Sequence, residues 1–333
     1  MSVLIFVAKL IAGGALLCLG VLLALLYEGV DRIISARMQR RFGPPLLQPF
    51  YDVLKLLGKE SIVPRRAVAW AFNGAPWMAL VTALMVFLYI PMGALPPILG
   101  SEGDLILITY LLALSAVALV VGGFASGSPY ANVGSQREMV LMMSYELPLA
   151  LVISTMAWLV YRRGIPGPAF SLETFSSLSL WNTVGWIGTF GLLSLLLALL
   201  AVVPAEVGKV PMDIAEAKTE ILEGLISEYS GRNLALLKLT YSVRTLALCA
   251  VVVALFFPWS LGKAMSLSGV GLFVIDFVWF WIKTFIVQTV GVTTVRTAFG
   301  RFKIWQAARF YWVQVGGLAL AGMLLLTLEV AIY

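Results

Sequence analysis

Eight apolar stretches, each long enough to cross a bilayer, take up most of the chain and leave little room for a soluble domain. A transmembrane helix needs about 20 mainly apolar residues. Runs of that kind lie at about 3–27, 67–90, 105–125, 139–160, 181–203, 237–258, 268–292 and 310–331. The composition agrees: 61% of the 333 residues are hydrophobic and 12% are charged, with a mean hydropathy of +0.96, where soluble proteins carry about 25% charged residues. Lipid offers backbone groups no partner, so each stretch is expected to form a closed helix. The expected fold is an all-α integral membrane protein of about eight transmembrane helices in a single polytopic domain. Its first span is expected to be retained, because the apolar run is too long for a signal peptide and no small-residue cleavage site follows it.

Lysine and arginine placement sets the expected orientation, because cytoplasmic loops carry the excess of positive charge. Of 23 such residues, sixteen fall in alternate loops: Arg32, Arg37, Arg40, Arg41, Lys55, Lys59, Arg65 and Arg66; then Arg137; then Lys209, Lys218 and Arg232; then Arg296, Arg301, Lys303 and Arg309. The intervening loops hold only Arg162, Arg163 and Lys263. Both termini are therefore expected outside, with loops 28–66 and 204–236 on the cytoplasmic side of the cell membrane. Arg162 and Arg163 are the discordant pair. The net charge of +6 is accounted for by topology, so no nucleic-acid partner is expected.

The chain has no histidine, and its two cysteines, Cys18 and Cys249, lie far apart in apolar runs. That excludes a His-ligated haem, a His-built zinc site or a Cys-ligated cluster made by this chain alone. Any redox centre belongs to a partner.

Loop 28–66 mixes basic residues with Leu47, Phe50, Val53, Leu54 and Leu57 at helical spacing, the pattern of an amphipathic helix lying along a membrane or protein surface. Gly43-Pro44-Pro45 separates it from the preceding helix. It reads either as a basic interfacial anchor or as a docking platform presenting Arg37, Arg40, Arg41, Gln48, Asp52, Lys55, Lys59 and Glu60.

Loop 204–236 concentrates acid. Glu206, Asp213, Glu216, Glu220, Glu223 and Glu228 are six of only seventeen acidic residues in the chain. On a continuous helix advancing about 100° per residue, Asp213, Glu216, Glu220 and Glu223 share a strip about 80° wide. A solvated acidic face is one reading. The other is a proton relay, since packed carboxylates at low dielectric cannot all ionise near neutral pH.

Charges also lie inside the spans, where each costs at least ~2.5 kcal/mol and points to function. Glu146 is deep in the fourth span, beside Tyr145 and two residues before Pro148. Asp276 and Lys283 share one face of the seventh, about 10 Å apart along the axis, and form a possible intramembrane relay. Glu329, near the outer end of the eighth, reads as a headgroup-level residue. Lys238 and Arg244 either snorkel or face the acidic loop.

Three strings carry a resemblance: RRFGPPLLQPFYDVLKLLGKE, GSQREMVLMMSYELPLAL and AEVGKVPMDIAEAKTEILEGLISEYSG. In order and spacing they resemble the signature regions of the complex I subunit 1 superfamily across nearly the whole chain. The short Gly43-Pro44-Pro45-Leu46-Leu47-Gln48-Pro49 form, Ser126-Gly127-Ser128-Pro129-Tyr130 and Leu222-Glu223-Gly224 before Glu228-Tyr229-Ser230-Gly231 resemble the energy-converting NiFe hydrogenase branch, such as archaeal membrane-bound hydrogenase and formate hydrogenlyase.

The resemblance implies a membrane anchor and coupling subunit linking a peripheral arm that evolves H2 to H+ or Na+ translocation. No cofactor and no metal is implied in this chain. The 4Fe-4S clusters and the NiFe centre are expected in partners: homologues of the hydrogenase large and small subunits, iron-sulfur subunits and antiporter-like membrane subunits. Glu206, Asp213, Glu216, Glu220 and Glu223 match acidic-loop positions of the family, Glu228 lies in its Glu-Tyr-Ser-Gly motif, and Glu146 matches the glutamate of its Ser-Tyr-Glu. Lys218 departs from the pattern, standing where many relatives have a carboxylate, and becomes a relay or charge-balancing candidate. The alternatives are the quinone-site subunit of a respiratory dehydrogenase and the equivalent subunit of a sulfane-sulfur reductase complex. A free-standing transporter would more naturally show an inverted repeat, and a purely structural anchor runs against the clustering of acid.

Overall fold

The computed structural model of the protein describes residues 2–100, 105–266 and 268–332, and these form a helical bundle. In chain order the helices are α1 (Ser2–Met38), α2 (Gln48–Leu57), α3 (Ala69–Met85), α4 (Leu105–Ala125), α5 (Pro129–Arg162), α6 (Leu172–Ser177), α7 (Trp186–Glu206), α8 (Lys218–Ile221), α9 (Gly231–Phe256), α10 (Leu261–Ala264), α11 (Val270–Gln288), α12 (Val295–Ala298), α13 (Ile304–Arg309) and α14 (Gly316–Ile332). Eight are long and apolar enough to cross a membrane once α11 is joined to α12 through a π-helical turn, Thr289–Thr294, and α13 to α14 through another, Phe310–Val315.

The spans run further into the loops than hydropathy alone predicts. The first helix continues from the apolar run through Arg32 and Arg37 to Met38, and the fourth begins at Pro129, not near 139. A helix end rich in charge is no longer apolar but is still helix, and Pro at the first turn is a start signal. Gly43-Pro44-Pro45 does lie in the break between α1 and α2.

Helix α9 is the axis of the bundle. It packs against α1, α2, α3, α6, α7 and α11, and from Ser242 to Phe256 every residue is buried. A helix that is apolar all round belongs in the interior. Helices α7 and α14 approach closely where Gly191 faces Gly322: a Cβ on either would come within about 3 Å of the other's carbonyl oxygen, the small-residue packing of membrane interfaces.

The four basic loops gather at one end. Ile62 N–H donates to Ser230 Oγ at 2.9 Å, Arg137 pairs with Glu220 and Arg301 with Asp213, each at 2.6 Å. At the opposite end the discordant arginines are held internally. Arg163 pairs with Glu329 at 2.6 Å, and Arg162 lies over the Trp158 ring at 5.9 Å. Glu329 is not a headgroup-level residue: it is 1% exposed and also accepts hydrogen bonds from the backbone N–H groups of Gly185 and Gly188, satisfying the start of α7. One carboxylate thus neutralises a misplaced arginine and caps a helix.

Candidate functional site

The acidic loop is not the continuous helix that places four carboxylates on one strip. It consists of short turns, Ile214–Glu216, α8 and Gly224–Ile226, interrupted by three successive residues with positive φ: Leu222 (50°), Glu223 (67°) and Gly224 (40°). Left-handed backbone ends a right-handed helix. The break lets the loop fold flat against α5, where Gly134 is essential: a Cβ there would meet Leu225 N at 2.6 Å.

That fold sorts the carboxylates into two sets. The outer set is ion-paired at the rim: Asp213 with Arg301, Glu220 with Arg137 and Glu223 with Lys218 at 2.9 Å, while Glu228 is exposed. Its hydrogen bond to Glu223, reinforced by that carboxylate's charge, raises the Lys218 pKa. Lys218 therefore balances the rim.

The inner set is linked by hydrogen bonds and electrostatics, with Glu138, Glu206 and Arg244 buried and Glu216 and Tyr241 half-buried at its mouth. Tyr241 O–H donates to Glu216 Oε1, placing Glu216 against α9. The Glu216 carboxyl is pushed up to about 7, first by burial and then by the charges of Glu138, Asp213 and Glu223, against the opposing Tyr241 hydrogen bond. Glu138, on α5 and 5% exposed, is in electrostatic reach of Glu216 on one side and of Arg244 and Glu206 on the other. One turn along α9 from Tyr241, Arg244 Nη2 donates to the backbone carbonyl of Glu206 and to its Oε1 at 3.1 Å. Tyr145, one i,i+7 step along α5 from Glu138, is fully buried within reach of Glu206 without closing a well-formed hydrogen bond. Glu146 next to it is partly buried, on the fringe of the array and within reach of Glu206.

Among Glu138, Glu206 and Arg244 one cation faces two buried carboxylates. The array opens to the basic-loop end through a cavity of about 240 Å³ lined by Glu216, Lys218, Glu223, Lys238 and Tyr241. Chemically, this is a path of titratable groups from an open mouth to the middle of the bundle. The sequence reading missed Glu138, Tyr241 and Asp31. Beginning the fourth span at Pro129 would have put Glu138 and Tyr145 on one helix face.

Asp31 is buried in α1 and binds Arg296 at 2.9 Å, Lys209 at 3.8 Å and the Thr293 hydroxyl at 2.5 Å, joining α1, the acidic loop and the first π turn. Asp276 and Lys283 do not pair with each other. Asp276 accepts from Ser260 Oγ at 2.5 Å and Gly262 N–H at 2.7 Å, and Lys283 donates to the carbonyls of Phe257 and Trp259 at 2.6 and 3.0 Å. Both hold the turn after α9, at the end away from the acidic array.

Of the docking candidates, Arg37, Arg40, Arg41, Lys55, Lys59 and Glu60 are exposed on the basic-loop end. Gln48 and Asp52 are turned inward instead. Arg32 bridges Asp52 at 2.8 Å and Glu28 at 2.6 Å, and Gln48 donates to Asp52 at 2.9 Å, fastening α2 to α1. Against the upward push of partial burial, the hydrogen bonds from Arg32 and Gln48 hold the Asp52 carboxyl below its usual range. The Glu228-Tyr229-Ser230-Gly231 motif is a clasp: Tyr229 stacks on Phe72 at 4.1 Å, Ser230 receives Ile62 N–H, and Gly231 (φ 55°) lies against the Glu60 carbonyl. Among the described residues no group of three or more His, Cys, Asp or Glu is placed to hold a metal ion.

Residues 11–327 match the NADH dehydrogenase family. Hydrogenase-4 component C of Escherichia coli (strain K12) is 33% identical over 73% of this chain and 74% of its own length. Formate hydrogenlyase subunit 4 of the same strain is 30% identical over 73% and 76%. The H subunit of NADH-quinone oxidoreductase from Anaplasma phagocytophilum (strain HZ) is 30% identical over 91% of each. Among solved structures, a chain of the membrane-bound sulfane sulfur reductase, an archaeal respiratory membrane complex, superposes with a TM-score of 0.81 at 27% identity, covering 96% of this chain and 99% of that one. With eight spans, a flat acidic loop over a buried carboxylate array and matches of this extent, the chain belongs to the NADH dehydrogenase family, that of complex I subunit 1, and is similar to the membrane subunits of hydrogenase-4 and formate hydrogenlyase.

Proposed function

We propose that this chain is the membrane anchor and coupling subunit of a multi-subunit, energy-converting hydrogenase-type complex in the cytoplasmic membrane. The observation that carries the reading is the electrostatically linked array of Glu216 and Tyr241 at a half-buried mouth and Glu138, Arg244 and Glu206 within the bundle, which opens on the same end as the exposed basic residues of loop 28–66. The peripheral arm, with its 4Fe-4S clusters and NiFe centre, docks on that end, which faces the cytoplasm. A change of charge in the arm biases the proton held by the array, and antiporter-like subunits packed beside the bundle respond by moving H+ or Na+. The similarity to hydrogenase-4 and formate hydrogenlyase subunits supports this branch.

A second reading is favoured by the sulfane sulfur reductase likeness: the same membrane arm serving an arm that reduces a sulfur compound. Purification of the complex through this chain distinguishes the two. Nickel and iron in the purified complex, with H2 evolved from a low-potential donor, supports the first. Iron without nickel, with reduction of a polysulfide, supports the second, and a chain recovered alone refutes both.

A further inference from the structure

We propose that the groove between α5 and the start of the last span seats an anionic phospholipid, its phosphate on Arg309 and one acyl chain along the apolar wall below. The groove is open, with a volume of about 630 Å³, and its wall is built by Val140, Met143 and Ser144 on one side and Trp305, Arg309 and Trp312 on the other. That volume lies within the roughly 300–1,000 Å³ typical of ligand pockets.

The charge at the top of the groove is the first argument. At this end Arg32, Arg137, Lys209, Lys218, Arg296 and Arg301 each face a carboxylate of the chain. Arg309, like the exposed Arg37, Arg40 and Arg41, has no carboxylate partner among the described residues, but unlike them it is the charged side chain lining this groove, and a planar guanidinium fork is matched to phosphate oxygens. The second argument is depth. Trp305 lies in the first turn of α13, at the basic-loop end of its span, and Trp312 lies about 10 Å further in. Two tryptophans bracketing an arginine is the arrangement of the headgroup boundary, where aromatic rings and cationic side chains anchor to lipid. The third is the π turn at Phe310–Val315. Its wider winding turns Tyr311 inward, where its hydroxyl donates to the Ala201 carbonyl at 2.9 Å, and leaves Trp312 and Val313 outward, 59% and 63% exposed. The Ser144 hydroxyl is spent on the Val140 carbonyl of its own helix at 2.6 Å, so the wall below Arg309 offers an acyl chain an apolar surface.

The test uses the intact complex in phosphatidylcholine vesicles containing a trace of photoactivatable phosphatidylglycerol or of phosphatidylcholine bearing the same chain, with crosslinks mapped by mass spectrometry. A basic side chain at the membrane surface gives about fivefold selectivity for an anionic lipid. Peptides covering 139–144 and 305–313 should therefore be labelled about fivefold more by phosphatidylglycerol, with the excess lost in Arg309→Gln and kept in Arg309→Lys. Equal labelling by the two lipids overturns the proposal. So does a groove that neither lipid reaches and that a photocrosslinker at Met143 joins to a neighbouring polypeptide. Should Arg309→Gln fail to assemble, the selectivity of the unmodified complex still decides.

Discussion

Arg244 on α9 and Glu206 at the end of α7 form an ion pair at 3.1 Å in which both side chains are almost wholly buried, 1% and 2% exposed. Removing one member of a buried pair leaves an uncompensated charge and costs about 3–5 kcal/mol, whereas replacing both is far milder. Arg244→Met should lower the Tm of the purified complex sharply, and Arg244→Met combined with Glu206→Gln should recover much of the loss. Additive losses in the double variant would place the two residues outside one network.

Glu216 titrates near neutral pH. Its carboxyl lies at about 7 against 4.5 for the ordinary side chain, burial being the main cause. Because the folded state holds this proton more tightly, the group favours folding at low pH. That contribution is lost as pH rises from 4.5 to about 7 and changes no further above. Tyr241→Phe deletes the one hydrogen bond that lowers it and should move the midpoint upward. Infrared difference titration of the protonated carboxyl band checks this, with Glu216→Gln removing the band.

Asp52 has the opposite sign. Its carboxyl is held below its ordinary value by hydrogen bonds from Arg32 and Gln48 working against burial, so the fastening of α2 is present at neutral pH and lost as pH falls through that lowered value. The pair is about a third exposed, which limits its worth to under about 1 kcal/mol. Asp52→Asn should therefore leave global stability nearly unchanged while hydrogen exchange in 48–57 speeds up.

Asp276 and Lys283 each bind the turn after α9, so their expected role is to hold that turn. Lys283→Met should mildly destabilise the complex, because the part-buried Phe257 carbonyl and the exposed Trp259 carbonyl lose their donor. Ion translocation per electron, measured on the fraction that assembles, should be unchanged; a fall would restore these residues to the conduction path.

Much of this was legible in the sequence. Eight spans, the amphipathic α2 and the gathering of basic loops follow from apolar length and charge alternation, because lipid enforces both rules strictly. The interior of the site was not. The strip of about 80° assumed an unbroken helix, and nothing about Leu222 and Glu223 announces left-handed backbone. Glu138 was hidden by its neighbour Arg137, which made a helical turn read as a loop. The central place of α9 was equally silent, since all eight spans are apolar and only packing decides which is enclosed.

The array is the centre of the account, and Glu138 is its joint, reaching Glu216 on one side and Arg244 with Glu206 on the other. The most direct measurement compares Glu138→Gln with the unmodified complex in sealed vesicles, recording electron transfer and ion uptake together. The expected result is electron transfer near the normal uncoupled rate with ion uptake slowed on the order of a hundredfold, the low end of what a positioned proton-transfer group contributes. Unchanged ion uptake per electron in Glu138→Gln would contradict it.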